Sequence, residues 1–260
     1  MQLRIEELTQ QYIRLWHETP VTLPDLGVVY SCDQKRELAR EAALQLDRLE
    51  ISRQQGARDR EKVQNALEES RAELEGLCDR AGLYFDRAFT DGFGQATREF
   101  LSRIKAFDPE LPPENIWQAM RNLWIINSLQ VMMGKPMACP APSFAYSMLY
   151  PYSDNVIDDP DLCLTEKWAT NDRFRRWLEG EEVLPLTATE EKIRALVQII
   201  EAGFSRQACP GLFQSLLGIF NAQIKSILQQ KQHRSGREAD LLGISVEKGG
   251  SSVLADGYLI

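Results

Sequence analysis

Apolar residues recur three or four positions apart along most of the chain and almost nowhere alternate with polar ones. The first spacing lines one face of an α-helix, whereas alternation would line one face of a strand. Leu3, Leu8, Tyr12, Leu15 and Trp16 form such a stripe over residues 3–18, which stops at Pro20. Residues 20–32 hold two prolines, a glycine and the short Val28-Val29-Tyr30 run, and read as a loop. Residues 33–82 are rich in Arg, Glu, Gln and Ala with a sparse apolar set (Leu38, Leu46, Leu49, Val63, Leu67, Leu74, Leu77). That pattern predicts a pair of long, mostly exposed amphipathic helices broken near Gln54-Gln55-Gly56, and its heptads are too broken for a sustained coiled coil.

The character changes after Gly82. Helices are predicted at about 93–106, 114–132, 142–159, 165–179, 188–206 and 209–231, with another beginning near 238. Most of the remaining prolines, from Pro109 to Pro210, fall between these segments, as breakers should. Glu114 and Glu166 put favourable negative charge in first turns, and Thr165 and Thr187 are candidate N-caps. There is no strand-like alternation, no GxGxxG and no repeat. The expectation is an all-α protein in two parts, an N-terminal helical segment over 1–82 and a helical domain over 83–260. Residues 116–133 and 212–228 are apolar enough for burial on more than one side, yet Arg121, Asn122, Asn127, Asn221, Gln223 and Lys225 interrupt them. Taken singly, such residues are satisfied structural hydrogen bonds; as a group they would line an apolar cavity with a polar mouth.

A length of 260 residues with 43% hydrophobic content supplies a sizeable core for one large domain, or one domain with a helical appendage. The net charge of -8, with no lysine- or arginine-rich block, argues against a nucleic-acid partner. A phosphate-bearing ligand would therefore need a local cation or a metal. Five scattered cysteines without CxxC spacing fit neither a zinc site nor a disulfide framework, and point to a reducing, cytoplasmic location. The amphipathic, charged start is no signal peptide, and no stretch approaches the uncharged apolar length of a transmembrane helix.

The candidate chemistry lies in two segments. The run Asp154-Asn155-Val156-Ile157-Asp158-Asp159-Pro160-Asp161 follows the apolar, aromatic stretch 144–152. Asp154 and Asp158 share a helix face one turn apart, where like charges repel, and carboxylates in a last turn oppose the helix dipole. Pro160 makes this the last turn. Such crowding implies a missing cation, and Mg2+ held by carboxylates and substrate phosphates is the natural candidate; Asp-Asp-Pro-Asp is equally ordinary turn chemistry. In the second segment, 244–260, Lys248, Ser252 and Asp256 stack at i, i+4 and i+8 beside Gly249 and Gly250. A lysine followed by two glycines and by Ser251 and Ser252 can present an ammonium and hydroxyls to a phosphate. Tight helix packing, with Lys248 reaching to water and Asp256 capping or pairing with it, accounts for the same residues.

Together, YPYSDNVIDDPDL and ISVEKGGSSVLADGYL resemble the class I isoprenoid synthases, and most narrowly the bacterial class 1 isoprenoid biosynthesis enzymes, over roughly residues 85–260. The resemblance implies an all-helical bundle around an apolar cavity and a Mg2+-dependent prenyltransferase or terpene synthase that ionises an allylic prenyl diphosphate. It implies Asp154 and Asp158, with Asp159 in support, as metal ligands. Lys248, Ser251, Ser252 and Gln223 become diphosphate contacts, and Phe144, Tyr146, Trp124 and Phe220 walls around the carbocation. It admits a homodimer. The pattern here is D-x-x-x-D-D, not DDxxD, and after Lys248 only Asp256 remains of a second acidic motif. The apolar pattern runs to Ile260 without a capping signal, which implies a truncated chain whose second metal motif lies beyond it. Two alternatives stand beside this. One is an all-α Mg2+-dependent nucleotide pyrophosphohydrolase, which needs several Glu-rich pairs at helical spacing; Glu181-Glu182 and Glu190-Glu191 are adjacent pairs flanking a proline and fit poorly. The other is a non-catalytic helical interaction protein built on 33–82.

Overall fold

Every regular element among the described residues is helical, in a computed structural model that describes residues 4–22, 30–55, 76, 87–230 and 240–260. Among these residues nine helices follow in order: α1 (Ile5–Glu18), α2 (Cys32–Gln55), α3 (Arg87–Phe107), α4 (Pro113–Met132), α5 (Ala141–Asp158), α6 (Leu164–Leu178), α7 (Ala188–Gly203), α8 (Pro210–Gln230) and α9 (Leu241–Tyr258). The second of the two long N-terminal helices expected from the sequence lies outside the described residues, apart from Gly76.

The helix limits have local causes. Ser31 and Gln34 close a reciprocal box at the start of α2: the Ser31 amide donates to Gln34 Oε1 at 2.8 Å and the Gln34 amide to Ser31 Oγ at 3.2 Å. Thr187 caps α7 by accepting from the Glu190 amide at 3.2 Å. Thr165, in contrast, lies inside α6. The N-cap of that helix is Cys163, whose amide donates to Glu166 Oε2 at 2.9 Å, so the helix is capped two residues before the expected position and a glutamate side chain reaches back to close it. At the far ends of α4 and α6, Gly134 and Gly180 adopt φ of 69° and 88°. Only glycine takes that conformation freely, and it lets the amides of Lys135 and Glu181 close on Gln130 and Arg176 carbonyls at 2.8 Å.

The chain divides into two compact units, Met1–Thr19 with Gly92–Ile260, and Pro20–Asp91. In the larger unit the core is one cluster to which α3 through α9 contribute, with Phe100, Leu123, Met148, Leu196, Ile200 and Leu212 almost fully buried. α5 is the central element, buried nearly all round and packed on α4 and α7. Pro151 sits inside it and deletes one backbone hydrogen bond, a cost of about 3 kcal/mol that the surrounding packing must offset. α9 packs against α8, and α1 lies on α9, so α1 belongs with the C-terminal helices. The approach is close because two α8 positions lack side chains: a Cβ at Gly218 would strike Ser251 and Ile5, and one at Gly211 would strike Tyr258.

The interior polar residues are mostly accounted for. Asn122 donates to Ser147 Oγ at 3.2 Å, and Asn127 to Gln130 Oε1 at 2.9 Å and to the Ala138 carbonyl at 3.1 Å. Lys225 is paired with the buried Glu247, while Arg121 and Asn221 face solvent. Among the described residues, no helix is long and apolar enough to cross a membrane.

Candidate functional site at the junction of α5, α8 and α9

α5 and α9 run antiparallel, and a ladder of polar side chains joins them at helical spacing. Lys248 Nζ lies 3.5 Å from Asp154 Oδ2. One turn along, Ser252 Oγ is 2.5 Å from the Tyr150 hydroxyl and 3.1 Å from that of Tyr146, and the two tyrosines meet at 2.9 Å. Further on, the Ser143 hydroxyl donates to the Leu259 carbonyl at 3.4 Å. Each helix supplies its partners from an i, i+4 row, which is why residues far apart in sequence form a single line.

At the open end of this ladder, Gln223 on α8 donates to Asp154 Oδ1, so both carboxylate oxygens of Asp154 are engaged. Burial pushes the Asp154 carboxyl above its ordinary range; Lys248 and Gln223 pull the other way, and the neighbouring Asp158 charge adds to the rise. Asp158 itself is exposed one turn further. Asp159 caps the end of α5, and its Oδ1 accepts from the Asp161 amide at 2.8 Å, an Asx turn. The crowded acidic end is balanced by a residue that sequence inspection missed. Lys167 of α6, almost fully buried, donates to the Ile157 carbonyl at 2.6 Å and places a cation where the helix dipole needs one. Its sequence signal, a lone lysine in the first turns of the next helix, is indistinguishable from a surface charge.

Among the described residues, no group of three or more His, Cys, Asp or Glu side chains is arranged to hold a metal. Mg2+ does not require one, since it keeps several waters and is commonly bound through one or two carboxylates plus substrate phosphates. Asp154 and Asp158, one turn apart and mutually repelling, fit that requirement; Asp159 is turned to the backbone. Of the other candidates, Ser252 faces the tyrosines, whereas the Ser251 side chain is buried towards Gly218 on α8 and its hydroxyl has no partner among the described residues. Gln223 reaches Asp154 directly.

The expected aromatic walls each pack against other aromatic rings. Phe144 meets Phe100 and Phe107 edge-on at 5.4 and 6.1 Å, Phe220 meets Phe174 at 6.1 Å, and the Trp124 indole donates to Thr97 at 2.9 Å. The cavity bounded by Tyr146, Tyr150, Phe174, Phe220 and Gln223, which Asp154 does not line, is about 20 Å3, close to what one water needs. Asp256 follows Ser252 by one turn on α9, between the Ser252 and Leu259 contacts. It is fully buried, neither carboxylate oxygen has a hydrogen-bond partner among the described residues, and desolvation pushes its carboxyl up to about 7. The sequence offered capping or a pair with Lys248 for this residue, and the structure gives it neither. No family model, curated protein or solved structure matches the chain.

Proposed function

We propose that the chain is a class I isoprenoid synthase-type protein that binds an allylic prenyl diphosphate at the open end of the α5–α9 ladder. The observation that carries this reading is the pairing of Asp154 with Lys248 on facing helices of a bundle, the arrangement by which bundles hold metals and charged ligands. Lys248, more than a third exposed, can swing its ammonium from Asp154 to a diphosphate oxygen and offset charge that grows as the carbon–oxygen bond breaks. Asp154 and Asp158 would hold Mg2+, which supplies Lewis-acid stabilisation of the diphosphate leaving group when bound. Asp154 is poised to exchange one cationic partner for another, because its carboxyl is costly to keep ionised without one. Gln223 fixes the carboxylate's orientation from α8. The tyrosine pair Tyr146 and Tyr150 and the Phe220 ring form the apolar wall next to it, and the prenyl chain would have to part these rings to be shielded from water. Capture of the cation by a second isoprenoid and its cyclisation both remain open chemistries for this wall.

The pyrophosphohydrolase alternative loses its best carboxylate. Glu190 is fully buried and consumed by Arg173, by Thr170 at 3.0 Å and by the Leu186 amide at 2.7 Å. The test is thermal unfolding with Mg2+ and farnesyl diphosphate against Mg2+ and ATP, since a ligand that binds the folded state must raise the midpoint. A rise with the prenyl diphosphate only supports the reading; a rise with ATP only, or with neither, overturns it.

A further inference from the structure

A large apolar hollow lies away from Asp154. It lies on the opposite side of α9, between α9 and α1, with a volume of about 520 Å3, within the range of sites that enclose small molecules. Its floor is Gly249 and Gly250, where an added Cβ would meet nothing within 4 Å. Its walls are Leu8, Tyr12 and Trp16 of α1 and Val253 of α9, and three of these keep more than half of their surface exposed: Tyr12 at 57%, Trp16 at 67% and Val253 at 53%. Among the described residues, no charged side chain lines it. One polar group does so in an unusual state: Ser251 is 2% exposed, and its hydroxyl is buried without a partner.

At Thr9 this hollow adjoins a second one, of about 480 Å3, with the opposite chemistry. Glu6, Asp240 and Glu247 border the second hollow with Lys225 as the single cation among the described residues, a formal charge of 1 − 3 = −2 over these side chains. Lys225 is already committed to Glu247, and Asp240 caps α9 through the Gly243 amide at 2.8 Å, which leaves the Glu6 carboxylate to meet a ligand. An apolar trough that adjoins an acidic hollow is complementary to one shape of ligand, a hydrocarbon chain ending in a cationic head.

We infer that the α1–α9 groove binds a single-chain amphiphile with an amine head, its tail over Gly249 and Gly250 and its ammonium at Glu6. This site is separate from the diphosphate reading and does not depend on it: an anionic head is repelled where an amine is drawn in. The lack of charge along the trough excludes recognition of a charged group part-way down the chain.

The test uses the whole chain and three matched probes below their micelle concentrations: dodecylamine, dodecanol and dodecanoate. Trp16, in the groove wall, reports burial as a blue shift of emission. The expected result is saturable binding of one dodecylamine per chain with a blue shift, at least tenfold tighter than dodecanoate, with dodecanol between them. At Gly250 an added Cβ meets no neighbour within 4 Å, so Gly250→Leu directs a side chain into the hollow and replaces a poor helix former with a good one. It should weaken dodecylamine at least tenfold while the thermal midpoint holds or rises. Glu6→Gln should remove most of the preference for the amine over the carboxylate and leave dodecanol unchanged. Equal binding of all three probes, or a Gly250→Leu variant that binds as well as the wild type, overturns the inference. So does concentration-dependent dimerisation that Gly250→Leu abolishes, which would assign the groove to a second copy of this chain. Co-sedimentation with phosphatidylcholine vesicles without saturable dodecylamine binding would assign it to a bilayer surface and also overturn it.

Discussion

Replacing Asp256 by asparagine should stabilise the protein above neutral pH and do little below it. The carboxyl is 0% exposed, has no hydrogen-bond partner among the described residues, and titrates at about 7 in place of 3.8. Its proton is therefore held more tightly in the folded chain than in the unfolded one. Between about pH 4 and about pH 7 the native state keeps a proton that the unfolded state has lost, so stability falls as pH rises, by about 1.4 kcal/mol per pH unit. From 3.8 to about 7 this sums to about 4 kcal/mol. Asparagine has the same shape and no charge, but its amide would also be unsatisfied, at about 1–3 kcal/mol. The variant should thus lie within about 2 kcal/mol of the wild type at about pH 5 and exceed it by roughly 1–3 kcal/mol at about pH 8. Urea unfolding followed by far-ultraviolet circular dichroism across that pH range measures both curves, with Asp154→Asn as a control for the other carboxyl raised by burial. A wild-type stability that is flat between the two pH values, or a variant curve that runs parallel to it, would refute the reasoning.

Other carboxylates predict the opposite sign. Burial opposes ionisation of Asp108, but Lys192 at 2.6 Å and the Tyr152 hydroxyl at 2.5 Å outweigh it and hold its carboxyl below the ordinary range. Its contribution is present above the unfolded value and lost as pH falls through the folded one, and Asp108→Asn should cost about 2 kcal/mol at neutral pH in a urea titration, with little further loss in acid. Glu190→Gln should be more severe, about 3–5 kcal/mol, because it leaves the Arg173 guanidinium without its buried partner; restoration by Arg173→Met in the same background would show that the orphaned charge, not lost volume, is responsible. Leu196→Ala, at a position with 0% exposure, should lose about 2–5 kcal/mol in the same assay with no change in pH dependence.

The helices were legible in the sequence because their apolar rows are long and their breakers unambiguous: α4, α5 and α8 lie within a few residues of the segments that periodicity predicts. Their ends were less so. Thr165 and Cys163 compete for the start of α6, and the decision falls to a glutamate side chain that reaches back, which spacing alone does not reveal. The packing of α1 on α9 was hidden for a different reason. An amphipathic stripe says that a face is to be covered but not by what, and Gly249 and Gly250 read as a phosphate cradle just as well as a groove floor. The polar ladder was half visible. Lys248, Ser252 and Asp256 stand in one row by count, yet the partners Asp154, Tyr150 and Tyr146 belong to an antiparallel helix whose register is set by the whole core. Burial decides the rest: nothing local to Asp256 distinguishes it from a surface carboxylate.

The central claim, that Asp154 and Lys248 form a diphosphate site completed by Mg2+, is tested most directly by titrating farnesyl diphosphate into the chain calorimetrically with and without Mg2+. The account predicts saturable binding that requires Mg2+, is weakened at least tenfold by Asp154→Asn, a loss of about 1.4 kcal/mol or more, and is weakened by Lys248→Met without loss of the metal requirement. Binding that is indifferent to Mg2+ and unchanged in both variants, or absent from the folded wild-type chain, would contradict it.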